Sequence, residues 1–293
     1  MPRGRGIRRV IGSAALLLVL VLAASWFLAS RIAAGHASVV APVPAPAEQV
    51  RLTARDGIAI AGTYWPGRRA DAPAVLLLHG VGASRNQTAP MAEALVAGGY
   101  AALAIDLRGH GESTITDHSY GLGEGLDARA AFDWLKARQH GARVAVIGVS
   151  LGGAAALIGR DGAVPADALV LVAVFPDIRH AIYNRMAAVL TPVGGTIAEP
   201  LLSFQSLPRY GVWPGRIAPI AAIREFSAPV LVIGGAADRY TPPVETRALF
   251  EAAPNRKGLW LVPGLSHGEV SSLHDAEWRR RVSAFLRGTI GAP

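Results

Sequence analysis

"RVAVIGVSLGGAAALIG", Arg143–Gly159, passes from an apolar run through Gly-Val-Ser-Leu-Gly into a segment rich in alanine. A strand that folds straight back into a helix needs small residues two positions either side of the turn, where larger side chains would collide. Gly148 and Gly152 hold those positions around Ser150. The stretch therefore predicts a buried strand, a strained turn at Ser150 and a helix that opens directly after it.

Outward from this unit the pattern repeats. "AVLLLH" (Ala74–His79), "YAALAID" (Tyr100–Asp106), "ALVLVAV" (Ala168–Val174), "PVLVIGG" (Pro229–Gly235) and "LWLVP" (Leu259–Pro263) are short apolar runs without alternation, as expected of strands buried on both faces. Between most of them lie segments of helical period, such as "GLDARAAFDWLKARQ" and "PVETRALFEAA". This order predicts a doubly wound, mostly parallel α/β sheet with helices on both faces. Ahead of it, "QVRLTARDGIAIAGTYW" reads as a hairpin turning at Asp56-Gly57. "SLHDAEWRRRVSAFLRG" reads as one closing helix. The domain so defined covers 48–293. Its longest connection, 176–228, mixes Pro, Gly and aromatics with helical pieces such as "IRHAIYNRMAAVL". An insertion of that length predicts a lid or binding element.

The turn directs Ser150 above the C-terminal edge of the sheet, where its hydroxyl can act as a nucleophile. The helix behind it presents free N–H groups and a positive dipole end, so the Leu151 N–H is placed to hold an oxyanion. The second donor is expected from the loop after "AVLLLHG", at Val81. "GLSHG", Gly264–Gly268, fits the same five-residue pattern, but Ser266 follows the last strand and only about 25 residues remain. That is too few for an acid and then a histidine. In this architecture the order along the chain is serine, acid, histidine, which makes His267 the expected proton carrier. Asp238, in "GGAADRYTPP", follows the preceding strand and is the expected acid that orients the imidazole, with Asp177 as fallback. His79 and His110 are expected to order loops. His118, His140 and His180 are expected in solvated loops or helix ends, and His274 on the final helix.

The N-terminus places Arg3, Arg5, Arg8 and Arg9 before an apolar run covering 10–30, with Arg31 after it. About 20 helical residues span roughly 30 Å, the thickness of a bilayer's hydrocarbon core. The excess of arginine before the run predicts a cytoplasmic N-terminus, 1–9, and a domain on the extracytoplasmic side of the membrane. The competing reading is a cleaved signal, with "LAAS" or "AAGHA" as the site and the domain secreted. The Ala/Pro alternation of 31–47 predicts an extended tether.

The net charge of +8 comes from 29 basic and 21 acidic residues. With the five N-terminal arginines set aside, 24 basic residues face the 21 acidic ones. That is an ordinary domain surface and, with no nucleic-acid-binding motif, it argues against nucleic acid as a partner. The chain has no cysteine, which excludes disulfides, thiolate metal sites and a cysteine nucleophile. Neither a metal nor an organic cofactor is expected.

Together "LLLHGVGAS", "DLRGHGES", "GVSLGG", "APVLVIGGAADRYTPP" and "VPGLSHGE" resemble the α/β-hydrolase superfamily, in particular its bacterial branch similar to serine aminopeptidases and monoglyceride lipases. The resemblance covers about Val50 to Arg287 and implies that Asp106–Ser113 form a supporting loop near the active-site mouth. The expected function is a serine hydrolase that cleaves carboxylic esters through an acyl-enzyme. A peptidase or other amidase with the same residues is the alternative reaction, and a non-catalytic binding module at the membrane the alternative class. The acyl length, the leaving group and the oligomeric state are open from sequence.

Overall fold

A computed structural model describes residues 3–254 and 257–293. Its strands are β1 (His36–Ala37), β2 (Glu48–Thr53), β3 (Ala59–Trp65), β4 (Ala74–Leu78), β5 (Ala101–Ile105), β6 (His110–Gly111), β7 (Val144–Val149), β8 (Ala168–Val172), β9 (Val230–Gly235) and β10 (Lys257–Val262). Eight of them form one sheet in the order β10-β9-β8-β7-β4-β5-β3-β2. The hairpin β2–β3 runs antiparallel to its neighbours, and every pair from β5 to β10 is parallel.

The helices are α1 (Arg3–Ala33), α2 (Ala89–Ala97), α3 (Glu124–Arg138), α4 (Leu151–Ile158), α5 (Ile178–Val189), α6 (Pro192–Ser203), α7 (Ser206–Tyr210), α8 (Pro219–Ala222), α9 (Pro243–Ala252), α10 (His267–Ser271) and α11 (Ala276–Thr289). The unbroken apolar strands follow from helices on both sheet faces. Ala74, Leu76 and Leu78 of β4 pack with α3 and α4, while Val75 and Leu77 pack with α2 and α11. Successive side chains of a strand point to opposite faces, so both sets must be apolar.

The winding direction reverses at β4. The chain goes from β4 through α2 to β5 on one side, then through α3 to β7 on the other. At such a switch point the loops leaving the two central strands diverge and open a crevice. Leu78 is paired with Gly148, so the loop from His79 and the turn at Ser150 rise side by side. The long connection after β8 is helical throughout much of its length, as α5 to α8, and covers this crevice.

Three expectations change. The closing helix, α11, starts at Ala276 and not at Ser272, because Asp275 caps it through the Trp278 N–H at 2.8 Å, and a separate short helix, α10, precedes it, which leaves His274 in the link between them. Residues 31–33 belong to α1, not to a tether. The rest of the predicted tether is pinned to the domain. The Ala33 carbonyl accepts the His118 N–H at 2.7 Å, β1 pairs with β6, and the Asn86 side chain binds the Val39 carbonyl and the Ala41 N–H. Ala/Pro alternation favours extended backbone, and extended backbone carries unpaired donors and acceptors that a neighbouring loop edge can take up.

Candidate active site

Ser150 stands between β7 and α4 with φ 47° and ψ −108°, a left-handed conformation that costs a non-glycine residue free energy. The flanking glycines explain how the turn closes. A Cβ on Gly148 would lie 2.5 Å from Gly153 Cα, and one on Gly152 would lie 2.4 Å from the Leu78 carbonyl oxygen. The strain is held by the Ser150 N–H, which donates to the Val172 carbonyl at 2.8 Å, and by the buried helix that follows.

Ser150, Leu151 and Val81 line one cavity, roofed by Ile178, Ile182 and Leu202 of the helical connection. It holds about 100 Å³ of solvent-accessible space. Neither the Leu151 nor the Val81 N–H donates to a backbone carbonyl of the protein among the described residues. The loop bearing Val81 is fixed from both sides: the Gly80 N–H donates to Gln87 Oε1 at 2.9 Å, and the Gly82 N–H to His110 Nε2 at 3.0 Å. Gly82 sits at φ 72°, where a side chain would strain the turn.

Asp238 and His267 arrive from neighbouring strands, β9 and β10. Their loops press together at Gly235, where a Cβ would meet the Leu265 carbonyl oxygen at 2.2 Å. The Ala237 N–H donates to that same carbonyl at 3.0 Å. His267 Nδ1 lies 2.8 Å from Asp238 Oδ2, and Asp238 Oδ1 accepts the Tyr240 and Thr241 N–H groups, each at 2.8 Å. With Asp238 3% exposed, the carboxylate is immobilised and the imidazole proton is held on Nδ1, leaving Nε2 as the free acceptor. Ser150 Oγ makes no hydrogen bond to that imidazole; such bonds often tighten only once substrate is bound.

Asp177 is elsewhere. It caps α5, accepting the His180 N–H at 3.0 Å and lying 2.8 Å from His180 Nδ1. Ser266 bonds with Glu269, whose carboxylate accepts its N–H at 2.8 Å and its hydroxyl, an arrangement that starts α10. Sequence reasoning missed Tyr240, which meets the His267 ring edge to face at 5.6 Å, and Arg185, which lines the cavity from α5. It also missed Ile32 of α1, which forms part of the cavity wall. The sequence places Ile32 in the tether, just past Arg31, where an apolar residue carries no sign of such a role.

His79 and His110 order loops as expected. His79 Nε2 accepts the Leu107 N–H at 3.0 Å, and both rings direct Nδ1 to backbone carbonyls. His118 is buried, not solvated as the sequence suggested, and stacks on His110 at 4.2 Å. Its backbone is tied to Ala33, a pairing that no local pattern encodes. Burial pushes His79 down to about 3 and His118 to about 4 from 6.5, and lowers His110 as well. Below pH 6.5 the unfolded chain binds protons that the folded one refuses, so stability is fully present above that pH and falls as pH drops towards 4. His118→Phe preserves the stack and removes one titrating group. The thermal midpoint of the variant should therefore fall less between pH 7 and 4.5 than that of the parent, a saving of roughly 1–3 kcal/mol. Parallel acid limbs would show that His118 does not contribute.

The fold and the strained serine turn define the class: an α/β hydrolase. The comparisons agree. A family model described as serine aminopeptidase, S33, matches residues 70–208. The uncharacterized protein Rv2307c of Mycobacterium tuberculosis (strain ATCC 25618 / H37Rv) is 31% identical over 243 residues, 82% of this chain and 79% of that one. YfhR of Escherichia coli (strain K12), also uncharacterized, is 27% identical over 289 residues, 94% of each. Among solved structures, the Pyrococcus furiosus esterase Pf2001 superposes with a TM-score of 0.69 at 23% identity, over 88% of this chain and 99% of its own. The chain belongs to the α/β-hydrolase superfamily.

Proposed function

We propose that this protein is a membrane-anchored serine hydrolase that cleaves carboxylic esters through an acyl-enzyme. One observation carries the reading: the strained Ser150 shares a cavity with two unpaired backbone N–H groups, at Leu151 and Val81. Ser150 Oγ attacks the ester carbonyl as its proton passes to His267 Nε2, and Asp238 stabilises the imidazolium. The Leu151 and Val81 N–H groups hold the oxyanion. His267 then protonates the leaving alcohol, and water repeats the sequence on the acyl-enzyme. An amide bond is the second reading, favoured by the description of the matching family model. The apolar wall of the cavity, with Ile32, Phe175, Ile178 and Ile182, supports an acyl chain over a peptide. A panel of esters and aminoacyl amides, assayed alongside covalent labelling by a fluorophosphonate, tests both; labelling absent from active preparations would overturn the serine mechanism.

The membrane part of the proposal starts from α1, which over Arg8–Ala33 is long and apolar enough to cross a bilayer. We infer that it stays attached, with the arginines on the cytoplasmic side and the sheet on the other. Retention is supported by Ile32 in the cavity wall and by Ala33, which is fully buried. Cleavage at "AAGHA" would remove both and open the cavity to solvent. The protein purified from membranes should therefore keep its N-terminus; a mature N-terminus between Ser25 and Ala37 would establish a cleaved signal instead.

A further inference from the structure

Arg185 is a cation withdrawn into the cavity of Ser150 without a counter-charge. Its guanidinium stacks over the Tyr240 ring at 5.2 Å, and that ring meets His267, so the charge stands on the histidine side of the cavity. Its one protein acceptor among the described residues is the Ala181 carbonyl of its own helix, 3.2 Å from Nη1. The two buried arginines are neutralised, Arg85 by Asp106 and Glu112 and Arg108 by Asp56 and Asp127, and the half-buried Arg209 is held by Gln205 Oε1, the Trp26 carbonyl and Ser30 Oγ. No carboxylate among the described residues pairs with Arg185. Asp238, whose field reaches it, is committed to His267 and two backbone N–H groups. Glu245, on α9, accepts from Asn184, and burial holds its carboxyl above the ordinary range.

Burial also pulls the Arg185 guanidinium below its ordinary value, yet an arginine in a protein stays charged. Removing such a charge from water without a partner costs free energy. An anion that enters the cavity recovers that cost, and the planar fork can grip a carboxylate or phosphate through two parallel hydrogen bonds.

We propose that Arg185 binds an anionic group, carboxylate or phosphate, on the leaving alcohol of the ester. The inference rests on the esterase reading for its orientation. His267 delivers its proton to the leaving oxygen, and Arg185 stands against Tyr240, the ring that meets His267, whereas Ile32 and Ile178 offer the acyl chain an apolar wall. The substrate is thereby an acyl ester of a hydroxy acid or of a phosphorylated alcohol.

The test uses the full chain in detergent and compares phenyl butyrate with its meta-carboxy and meta-phosphate derivatives, for the parent, Arg185→Gln and Arg185→Lys. Comparing each variant with the parent on the same ester removes differences in intrinsic reactivity. Arg185→Gln should lower kcat/KM on at least one charged ester about 10- to 100-fold more than on phenyl butyrate, mainly through KM, and Arg185→Lys should recover part of the difference. Which charged ester loses more identifies the anion. Equal losses on charged and neutral esters would mean that Arg185 only braces Tyr240 and His267, and would overturn the proposal. Calorimetric titration with benzoate and with phenylphosphonate gives a readout free of turnover: the parent should bind at least one of them about tenfold more tightly than Arg185→Gln, and equal Kd values for both would also overturn it. If no ester is turned over in a Ser150-dependent way, the esterase reading fails, while the titration still decides whether Arg185 holds an anion.

Discussion

Ser150→Ala should lower kcat by about 10⁴- to 10⁶-fold, while Ser266→Ala keeps most of the activity. The two serines share the same five-residue pattern, but only Ser150 occupies a strained turn that faces the cavity, beside the free N–H groups of Leu151 and Val81. Ser266 instead bonds to Glu269 at the start of α10. Its loss removes a helix-starting contact and should cost about 1 kcal/mol of stability, seen as a lower thermal midpoint with little change in turnover. The check is kcat on a butyrate ester together with fluorophosphonate labelling of each variant. Losses of equal size in the two variants would sink the assignment of the nucleophile.

Asp238→Asn should keep the fold and lose about 10⁴-fold in kcat at neutral pH. The carboxylate accepts from His267 Nδ1 and from the N–H groups of Tyr240 and Thr241. An amide can keep the backbone bonds through its oxygen, but then turns an N–H towards Nδ1 and favours the wrong imidazole tautomer. Asp177→Asn should stay within about tenfold of the parent, because Asp177 caps α5 and partners His180, away from His267. A change there would reach the cavity only through helix packing and would be read in KM. If Asp177→Asn were the crippled variant and Asp238→Asn remained active, the acid would lie one strand earlier than assigned here. Circular dichroism of both variants separates a folding defect from a catalytic one.

Much of this architecture is written locally in the chain. Apolar runs of five or six residues between helical segments specify a sheet buried on both faces, and each of the quoted runs is a strand of the central sheet. The turn at Ser150 is equally legible, because the clashes that a side chain would make at Gly148 or Gly152 involve the strand and helix that flank it and the adjoining β4. Chain order admits both Asp177 and Asp238 between Ser150 and His267; Asp238 was preferred because a short loop and a helix follow it, whereas Asp177 opens the long insertion. The pairing of Asp238 with His267 then depends on β9 and β10 lying side by side.

What only the tertiary structure decided is non-local. Ile32 reads as the start of the tether, yet it belongs to α1 and walls the cavity, because the element an apolar residue packs against is set by the fold and leaves no local mark. The extended segment after α1 reads as a tether, but the partner of its free backbone groups is a loop about 70 residues further on, with His36 opposite His110. The isolation of Arg185 is likewise invisible in sequence. Whether a cation is paired depends on which carboxylates the fold brings within reach: Asp238 is committed to His267 and two backbone N–H groups, and Glu245 meets Asn184, not Arg185. Local sterics and hydrophobic period determined the elements and the serine turn; the distribution of charge and the walls of the cavity arose only when distant segments packed, since neither solvation nor pairing is a property of a residue by itself.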